Sequence, residues 1–293
     1  MRIFVAGATG AVGRLLVPML VGAGHSVSAT SRSEAGLATL RAAGVHAFAA
    51  DVYNPEALAA AVRAAAPEVV IHQLTALREY DVAANARIRT VGTRNLVDAA
   101  LAAGARRMIA QSISWAYQPG AEPADEQTPL DLAAAPPRAH TISGIRALED
   151  AVAELPEHVV LRYGTLYGPG TWYAAGERIA GQLRNGELAA DAAVSSFLHV
   201  EDAARAAVAA LDWAGGPVNV VDDDPAPATE WLPRLAEALG QPAPPIRDGA
   251  RPGWARGATN ALARNKLDWA PSRPSWRTGF AEPSRAAGAT YSA

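Results

Sequence analysis

The stretch FVAGATGAVG, residues 4–13, is an apolar, strand-like run that opens into three glycines at three-residue spacing. In this pattern Gly7 permits a tight turn, Gly10 lets the backbone approach an anionic ligand, and Gly13 lets the next helix pack on the strand. A helix that begins here presents its N-terminal N–H groups to that anion. The stretch therefore predicts a dinucleotide-binding turn, whose expected contacts are Gly7, Thr9, Gly10, Ala11, Val12 and Gly13.

Beyond the turn, short apolar runs of strand length alternate with longer amphipathic runs of helix length. This alternation predicts a parallel sheet covered by helices on both faces, because right-handed crossovers place helices on both sides. The predicted strands are 2–5, 26–30, 47–50, 69–72, 107–111 and 159–163. The predicted helices are 12–23, 33–43, 55–65, 84–103 and 141–155. The expected fold class is α/β, a doubly wound (Rossmann-like) parallel sheet.

After residue 163 the pattern loosens, and a smaller C-terminal substrate lobe is expected. A strand and helix over 197–211, a strand over 216–221 and a helix over 228–240 follow a turn-rich segment, 167–176. We predict a dinucleotide-binding domain over residues 1–165, to which 194–222 return, and a mainly substrate-binding lobe over 166–293. The three aspartates at 222–224 are expected to form a solvated turn, and the Pro-rich tail from residue 242 is expected to wrap the surface.

Composition narrows the range of partners. The 293 residues carry a formal net charge of −3 and no cysteine, so disulfides and thiolate-bound metal are excluded and nucleic acid is not an expected partner. No spacing of histidines and carboxylates predicts a metal site. No apolar run is long enough for a membrane span. A cytoplasmic enzyme with a small-molecule substrate is the expectation.

The second predicted strand favours one nicotinamide cofactor over the other. It ends SATSRS, residues 28–33, without the carboxylate that binds the ribose 2′-hydroxyl of NAD. Arg32 can instead pair with a 2′-phosphate, which favours NADP over NAD; a solvated loop charge is the alternative. Asp51 is either an acceptor for the adenine amine or a turn residue before Pro55. Further expected cofactor contacts are Val52, Leu74 and Thr75.

Four segments together resemble the extended branch of the short-chain dehydrogenase/reductase superfamily, its epimerase/dehydratase-like group. They are GATGAVG at 7–13, VGTRNLVDAA at 91–100, LRYGTLYGPG at 161–170 and FLHVEDAARAAVAAL at 197–211. The resemblance covers nearly the whole chain. It implies a catalytic Ser or Thr after the fifth strand, with a Tyr and a Lys four residues apart on the next helix. It also implies a possible homodimer through the helices 84–103 and 141–155.

The Tyr–Lys pair is missing from that helix, RAHTISGIRALEDAV at 138–152. Alignment on Ser143 puts His140 and Gly144 at the two positions, and alignment on Glu149 puts Thr141 and Ile145 there. The only lysine of the chain is Lys266, with Leu262 four residues before it. Ordinary Tyr–Lys chemistry is therefore excluded. Arg89 is a further departure, because the family more often has Asn at that position.

Three side chains are candidates to replace the pair. Ser114, in QSISWAY, fits the family's serine and can polarise a carbonyl, although it could be an idle turn residue. His140 is either a general acid or base or a surface residue. Tyr167 is either a proton donor or a packing residue. Arg146 is a possible source of the missing positive charge, and the expected pocket walls or core residues are Trp115, Trp172 and Tyr173.

Three functions remain open on this sequence. The first is an NADP(H)-binding oxidoreductase or epimerase-type enzyme that acts on a small carbonyl or alcohol without the usual pair. The second is a redox-neutral isomerase, lyase or cyclase on the same scaffold. The third is a non-enzymatic NADP-binding sensor.

Overall fold

A seven-stranded parallel sheet forms the centre of the molecule. The computed structural model describes residues 1–77 and 81–281. Its strands are β1 (Arg2–Ala6), β2 (Ser26–Ser31), β3 (His46–Ala49), β4 (Val69–His72), β5 (Arg107–Ile113), β6 (Glu157–Tyr163), β7 (Thr165–Tyr167), β8 (Val194–Ser195), β9 (Phe197–His199), β10 (Gly216–Val220) and β11 (Ala226–Pro227). The sheet order is β10-β6-β5-β4-β1-β2-β3, and every pairing within it is parallel.

Helices cover both faces of this sheet. They are α1 (Gly13–Gly22), α2 (Glu34–Ala42), α3 (Pro55–Ala65), α4 (Val82–Arg87), a π-helical turn (Ile88–Gly92), α5 (Thr93–Ala102), α6 (Arg138–Val152), α7 (Arg178–Arg184), α8 (Val200–Ala209), α9 (Ala228–Ala238), α10 (Ala261–Lys266) and α11 (Trp276–Gly279). One apolar layer joins α1 and α8 to the sheet, and a second joins α3, α5 and α6 to the opposite face. The predicted doubly wound α/β class is therefore confirmed. No helix in the described residues is long and apolar enough to cross a membrane.

Two helices differ from their predicted bounds by more than the one or two residues seen for the others. The predicted helix 84–103 is interrupted by the π-helical turn, where the Thr93 hydroxyl donates to the Ile88 carbonyl at 3.3 Å. Apolar periodicity does not reveal one extra residue in a turn. The helix predicted at 141–155 begins three residues earlier, at Arg138. The prolines at 136 and 137 explain the early start, because proline is tolerated where the first turn leaves N–H groups unpaired.

The smaller lobe is built from two short strand pairs and an aromatic core. Strand β7 pairs with β9, and β8 pairs with β11. The side chains of Tyr167, Phe197 and Trp276 are buried together and contact Tyr173 and Phe280. The C-terminal tail therefore contributes core residues to this lobe. The predicted division near residue 165 stays a prediction.

The expectation of a solvated turn at 222–224 is wrong. The Asp222 side chain is buried, and its carboxylate accepts the backbone N–H of Trp276 at 2.9 Å. Asp224 accepts the Ser275 hydroxyl and the Arg277 guanidinium, each at 2.7 Å. Burial raises the pKa of Asp222 to about 8. The aspartates thus fasten the tail to the end of β10, because buried acceptors retain their partners.

Candidate active site

The glycine turn after β1 has the shape that a bound dinucleotide requires. Gly7 has φ +93°, and a Cβ added there would lie 2.5 Å from the backbone C and O of Gln73. A Cβ on Gly13 would lie 2.2 Å from the Gly7 carbonyl oxygen. At Gly10 the nearest atom is that same oxygen, at 3.3 Å. The first and third glycines are therefore required by packing, whereas the second leaves open space for a ligand.

The residues around these glycines divide into exposed and buried positions. Thr9 and Gly10 are exposed at the mouth of the turn, Ala11 is half-buried, and the Val12 side chain packs in the core. No side chain caps the N-terminus of α1. The N–H groups of its first turn therefore remain suited to an anion, as the sequence predicts. The turn fits the pyrophosphate of a nicotinamide dinucleotide.

A cavity of about 320 Å³ lies at the ends of β2 and β3, next to the turn. Ser31, Arg32, Asp51 and Asn54 line it. The Arg32 guanidinium is largely exposed at its rim, and its Nη1 lies 3.9 Å from Asp51 Oδ2. The other Asp51 oxygen accepts the N–H of Tyr53 at 2.9 Å. Asp51 thus has both the turn role and a place in the cavity wall beside Arg32.

The end of β4 is held by a buried histidine. His72 Nε2 lies 2.9 Å from the Thr93 hydroxyl, and its Nδ1 accepts the Leu74 N–H at 3.2 Å. Burial lowers the pKa of His72 to about 4, so the ring is neutral and structural. Leu74 is half-buried and Thr75 is exposed. Val52 lies within the second apolar layer and faces Gly92.

Ser114 lies at one end of a second cavity, of about 220 Å³. Its side chain is buried, and its N–H donates to the Tyr163 carbonyl at 2.9 Å. Two half-exposed tryptophans, Trp115 and Trp254, form walls of the cavity. The residues that line the cavity are Ser114, Trp115, Thr165, Ala193, Val194, Ser195, Ser196, Trp254, Ala255 and Gly257, none of them charged. Such a lining suits a flat substrate of low polarity.

The tail reaches this cavity through Trp254, a residue that sequence reasoning missed. The Arg138 guanidinium lies 4.5 Å from the centre of the Trp254 ring, and its Nε donates to Asp131 at 2.9 Å. Trp254 and Trp115 are far apart in the chain, and no local pattern connects them. Arg14 also connects segments that are far apart in the chain. Its guanidinium donates to the Pro169 carbonyl and joins α1 to the loop after β7.

A buried network of hydrogen bonds begins at Ser112, two residues before Ser114. The Ser112 hydroxyl donates to Glu149 at 2.7 Å, and Arg162 contacts the same carboxylate at 2.6 Å. Arg162 also donates to the Tyr117 hydroxyl at 3.0 Å. Burial raises the pKa of Tyr117 to about 12. The Tyr117 side chain is buried and its hydroxyl donates to Asn219, so Tyr117 does not replace the missing proton donor.

Helix α6 carries no proton-transfer pair. His140 is exposed on its first turn. Gly144 is buried, and a Cβ added there would lie 3.5 Å from Cδ of Arg89. Ile145 packs in an apolar cluster with Ala116. The side chain of Arg146 is half-exposed and is taken by an ion pair with Asp150 at 2.5 Å, so it does not supply the missing positive charge.

Tyr167 lies in the core of the smaller lobe. Its ring makes edge contacts with Phe197, His199 and Phe280, at centroid distances of 6.3, 5.1 and 5.1 Å. Its hydroxyl oxygen faces Gly279, where an added Cβ would be only 1.9 Å away. This placement supports the packing role rather than proton donation.

The glycine turn, the doubly wound sheet and the returning strand–helix pair define the class of this protein. The chain belongs to the NAD-dependent epimerase/dehydratase family, whose model matches residues 3–221. The predicted resemblance is thereby confirmed. Enzymes of this family depend on a nicotinamide dinucleotide, and the chain is an enzyme of the oxidoreductase or epimerase type.

Among curated proteins, the chain is similar to a 3-diazoavenalumate denitrifying reductase of Streptomyces sp. The two are 46% identical over 96% of this chain and 99% of the relative. Among solved structures, it is similar to the UDP-glucose 4-epimerase of Thermus thermophilus in complex with NAD. That likeness has 24% identity, 96% and 97% coverage and a TM-score of 0.75.

A second solved structure is WbmG of Bordetella bronchiseptica in complex with NAD and UDP. It is 22% identical, covers 93% of this chain and 89% of its own, and has a TM-score of 0.74. At this identity the structural neighbours establish the fold alone. The reductase relative and the family together disfavour the non-enzymatic sensor.

Proposed function

We propose that this protein is an NADPH-dependent reductase that replaces the diazo group of a small carboxylate by hydrogen and releases N₂. The full-length similarity to a reductase named for a diazo substrate carries the proposal. A carbonyl or alcohol was the substrate that the sequence suggested. We propose a diazo group instead of a carbonyl, because its reduction does not require the Tyr–Lys pair that helix α6 lacks.

The missing proton relay fits this reaction. Reduction of a carbonyl leaves an alkoxide, and the Tyr–Lys pair supplies the proton that it needs. When bound, the cofactor supplies a hydride whose electron pair forms the new C–H bond, while the C–N bond breaks and its pair leaves with N₂. The step balances for the diazonium form of the group, because R–N₂⁺ and a hydride give R–H and N₂. This form needs no further proton and leaves no alkoxide. A site for it needs orientation more than acid catalysis.

The residues that would hold the two reactants lie along one edge of the sheet. The turn at Gly10 suits the pyrophosphate, and Arg32 suits the 2′-phosphate of NADP. The uncharged cavity at Ser114, with Trp115 and Trp254 as walls, suits a flat, conjugated substrate. The buried Ser114 hydroxyl would orient the substrate by a hydrogen bond. A homodimer through α5 and α6 stays a prediction.

Isotope transfer tests the proposal. The purified protein is incubated with 3-diazoavenalumate and NADPH deuterated at the transferred C4 position. We expect NADPH oxidation and N₂ release in equal amounts, with deuterium on the product carbon that carried nitrogen. A panel of carbonyl compounds is the control. Turnover of carbonyls with no reaction of the diazo compound would contradict the proposal.

A further inference from the structure

Arg89, in the π-helical turn, is a buried cation for which the described part of the chain provides no partner. The residue is 9% exposed, and across residues 1–77 and 81–281 no hydrogen bond or ion pair reaches its guanidinium. Arg162, by contrast, is buried against Glu149. Burial lowers the pKa of Arg89 to about 10, which still leaves it charged at neutral pH. A buried, unpaired charge is unfavourable unless a ligand completes it.

The side chain of Arg89 lies against Gly144, which is the position of the family's lysine when helix α6 is aligned on Ser143. A Cβ added at Gly144 would lie 3.5 Å from Cδ and 3.6 Å from Cβ of Arg89. The absence of a side chain at Gly144 therefore provides the space that Arg89 fills. A π-helical turn is a common device for aiming one side chain into a functional site.

Arg89 is close enough to His72, at the carboxyl end of β4, for its charge to act on that ring. The predicted path of the cofactor passes this end of the strand. Burial is the main reason why the pKa of His72 is low, and the Arg89 charge lowers it further. His72 precedes Leu74 and Thr75, which are expected to border the cofactor. The guanidinium is thus close to the predicted cofactor path.

We propose that Arg89 binds the hydroxyls of the nicotinamide ribose and supplies from α4–α5 the positive charge that the family places on α6. The inference rests on the proposed function, because it requires NADPH in this cleft. Guanidinium donates hydrogen bonds to hydroxyl oxygens but does not shuttle protons near neutral pH. In the family that the chain resembles, the lysine lowers the pKa of the tyrosine and holds the nicotinamide ribose. Arg89 replaces only the second of these two roles.

A cation at this place also discriminates between the two redox states of the cofactor. The nicotinamide ring is cationic in NADP⁺ and neutral in NADPH, so the Arg89 charge repels only the oxidised form. It should favour binding of the reductant and release of the oxidised product. A purely structural arginine would not produce this difference.

Calorimetric titration of Arg89→Met with NADPH and with NADP⁺ tests the proposal. We expect NADPH to bind about 10-fold more weakly, as for loss of one or more charge-assisted hydrogen bonds. NADP⁺ should lose less affinity, so the ratio of the two dissociation constants shrinks. Arg146→Met, which removes an exposed arginine of α6, is the matched control and should change neither constant.

An unchanged ratio together with unchanged NADPH affinity in Arg89→Met would overturn the inference but leave the proposed function standing. Failure of the unmodified protein to bind NADPH would instead defeat the proposed function itself. Thermal unfolding separates a packing role: removing an unpaired buried cation should not lower Tm, whereas loss of a structural contact would. A lowered Tm with an unchanged ratio also counts against the inference.

A rescue experiment adds an independent test. Arg89→Asn together with Gly144→Lys recreates the family's arrangement in the same space, and should bind NADPH within about threefold of the unmodified protein. Arg89→Asn alone should stay weak. If the single and double variants bind equally poorly while both remain folded, the positive charge is not exchangeable between the two helices and the inference is wrong. Arg89→Lys, which keeps the charge on its own helix, serves if the double variant does not fold.

Discussion

Two segments that serve the same cleft, 4–13 and 138–152, differ in what holds their residues in place. In the first, Gly7 and Gly13 are fixed by backbone packing, since a Cβ at either would overlap main-chain atoms. In the second, alignment on Ser143 puts the missing pair at two positions that need no particular side chain for folding. His140 is exposed, and Gly144 has none. Cofactor binding is thus built into the fold, whereas proton transfer depends on side chains that can be lost while the fold remains.

The largest effects should fall on the glycine turn, where Gly7→Ala and Gly10→Ala separate folding from binding. Gly7→Ala should lower the free energy of unfolding by about 2–5 kcal/mol, because it adds a clash with Gln73 at positive φ. Gly10→Ala should leave Tm nearly unchanged but weaken NADPH binding about 10-fold or more, as the displaced pyrophosphate loses charge-assisted hydrogen bonds. Chemical denaturation and calorimetry measure the two quantities. Equal loss of stability in both variants would remove the distinction between packing and ligand glycines.

A smaller effect is expected at Arg32, a variant of which tests how the cofactor-binding part of the cleft distinguishes NADPH from NADH. Arg32→Ala should reduce the preference for NADPH over NADH by about 10- to 100-fold, since a charged hydrogen bond to phosphate contributes about 1.5–3 kcal/mol. Affinity for NADH should hardly change. The measurement is kcat/KM for each cofactor at fixed salt. A preference for NADH in the unmodified protein would show that Arg32 is only a loop charge.

The smallest effect is expected at His140, in the segment 138–152 that lacks the proton-transfer pair. If no side chain of α6 transfers a proton, His140→Ala should change kcat by less than about threefold, against the roughly 10²–10⁴-fold contribution of a true general acid. The pH profile of kcat should also keep its shape. A loss of about 100-fold, or the disappearance of one limb of the pH profile, would show that His140 has taken over the task of the missing tyrosine.

Much of the fold was predictable because it depends on local patterns. Apolar runs identify the strands, and the glycine spacing identifies the turn. The position of Arg32 beside the predicted cofactor site follows from its place directly after β2. The π-helical turn was not predictable, because amphipathic periodicity tolerates one extra residue. Ser114 lines a cavity, and its role in the active site stays a prediction.

Side chains whose environment is set by distant segments escaped prediction. For Tyr167 the sequence left proton donation and packing open, and the choice depends on its edge contact with Phe280 in the tail. Trp254 reaches the cavity through a loop with no regular pattern. The aspartates at 222–224 look like a solvated turn until the segment around Trp276 folds over them. In each case the deciding contact joins residues that are far apart in the chain, so local periodicity does not predict it.

The proximity of Gly144 to Arg89 bears on how such a site can evolve. A lysine at 144 would compete for space with the existing guanidinium, and two like charges would then face each other in a buried setting. Neither single exchange leads smoothly from one arrangement to the other: one intermediate has both charges and the other has none. With Arg89 in the proposed role, a return to the lysine arrangement therefore requires changes at both positions rather than at one.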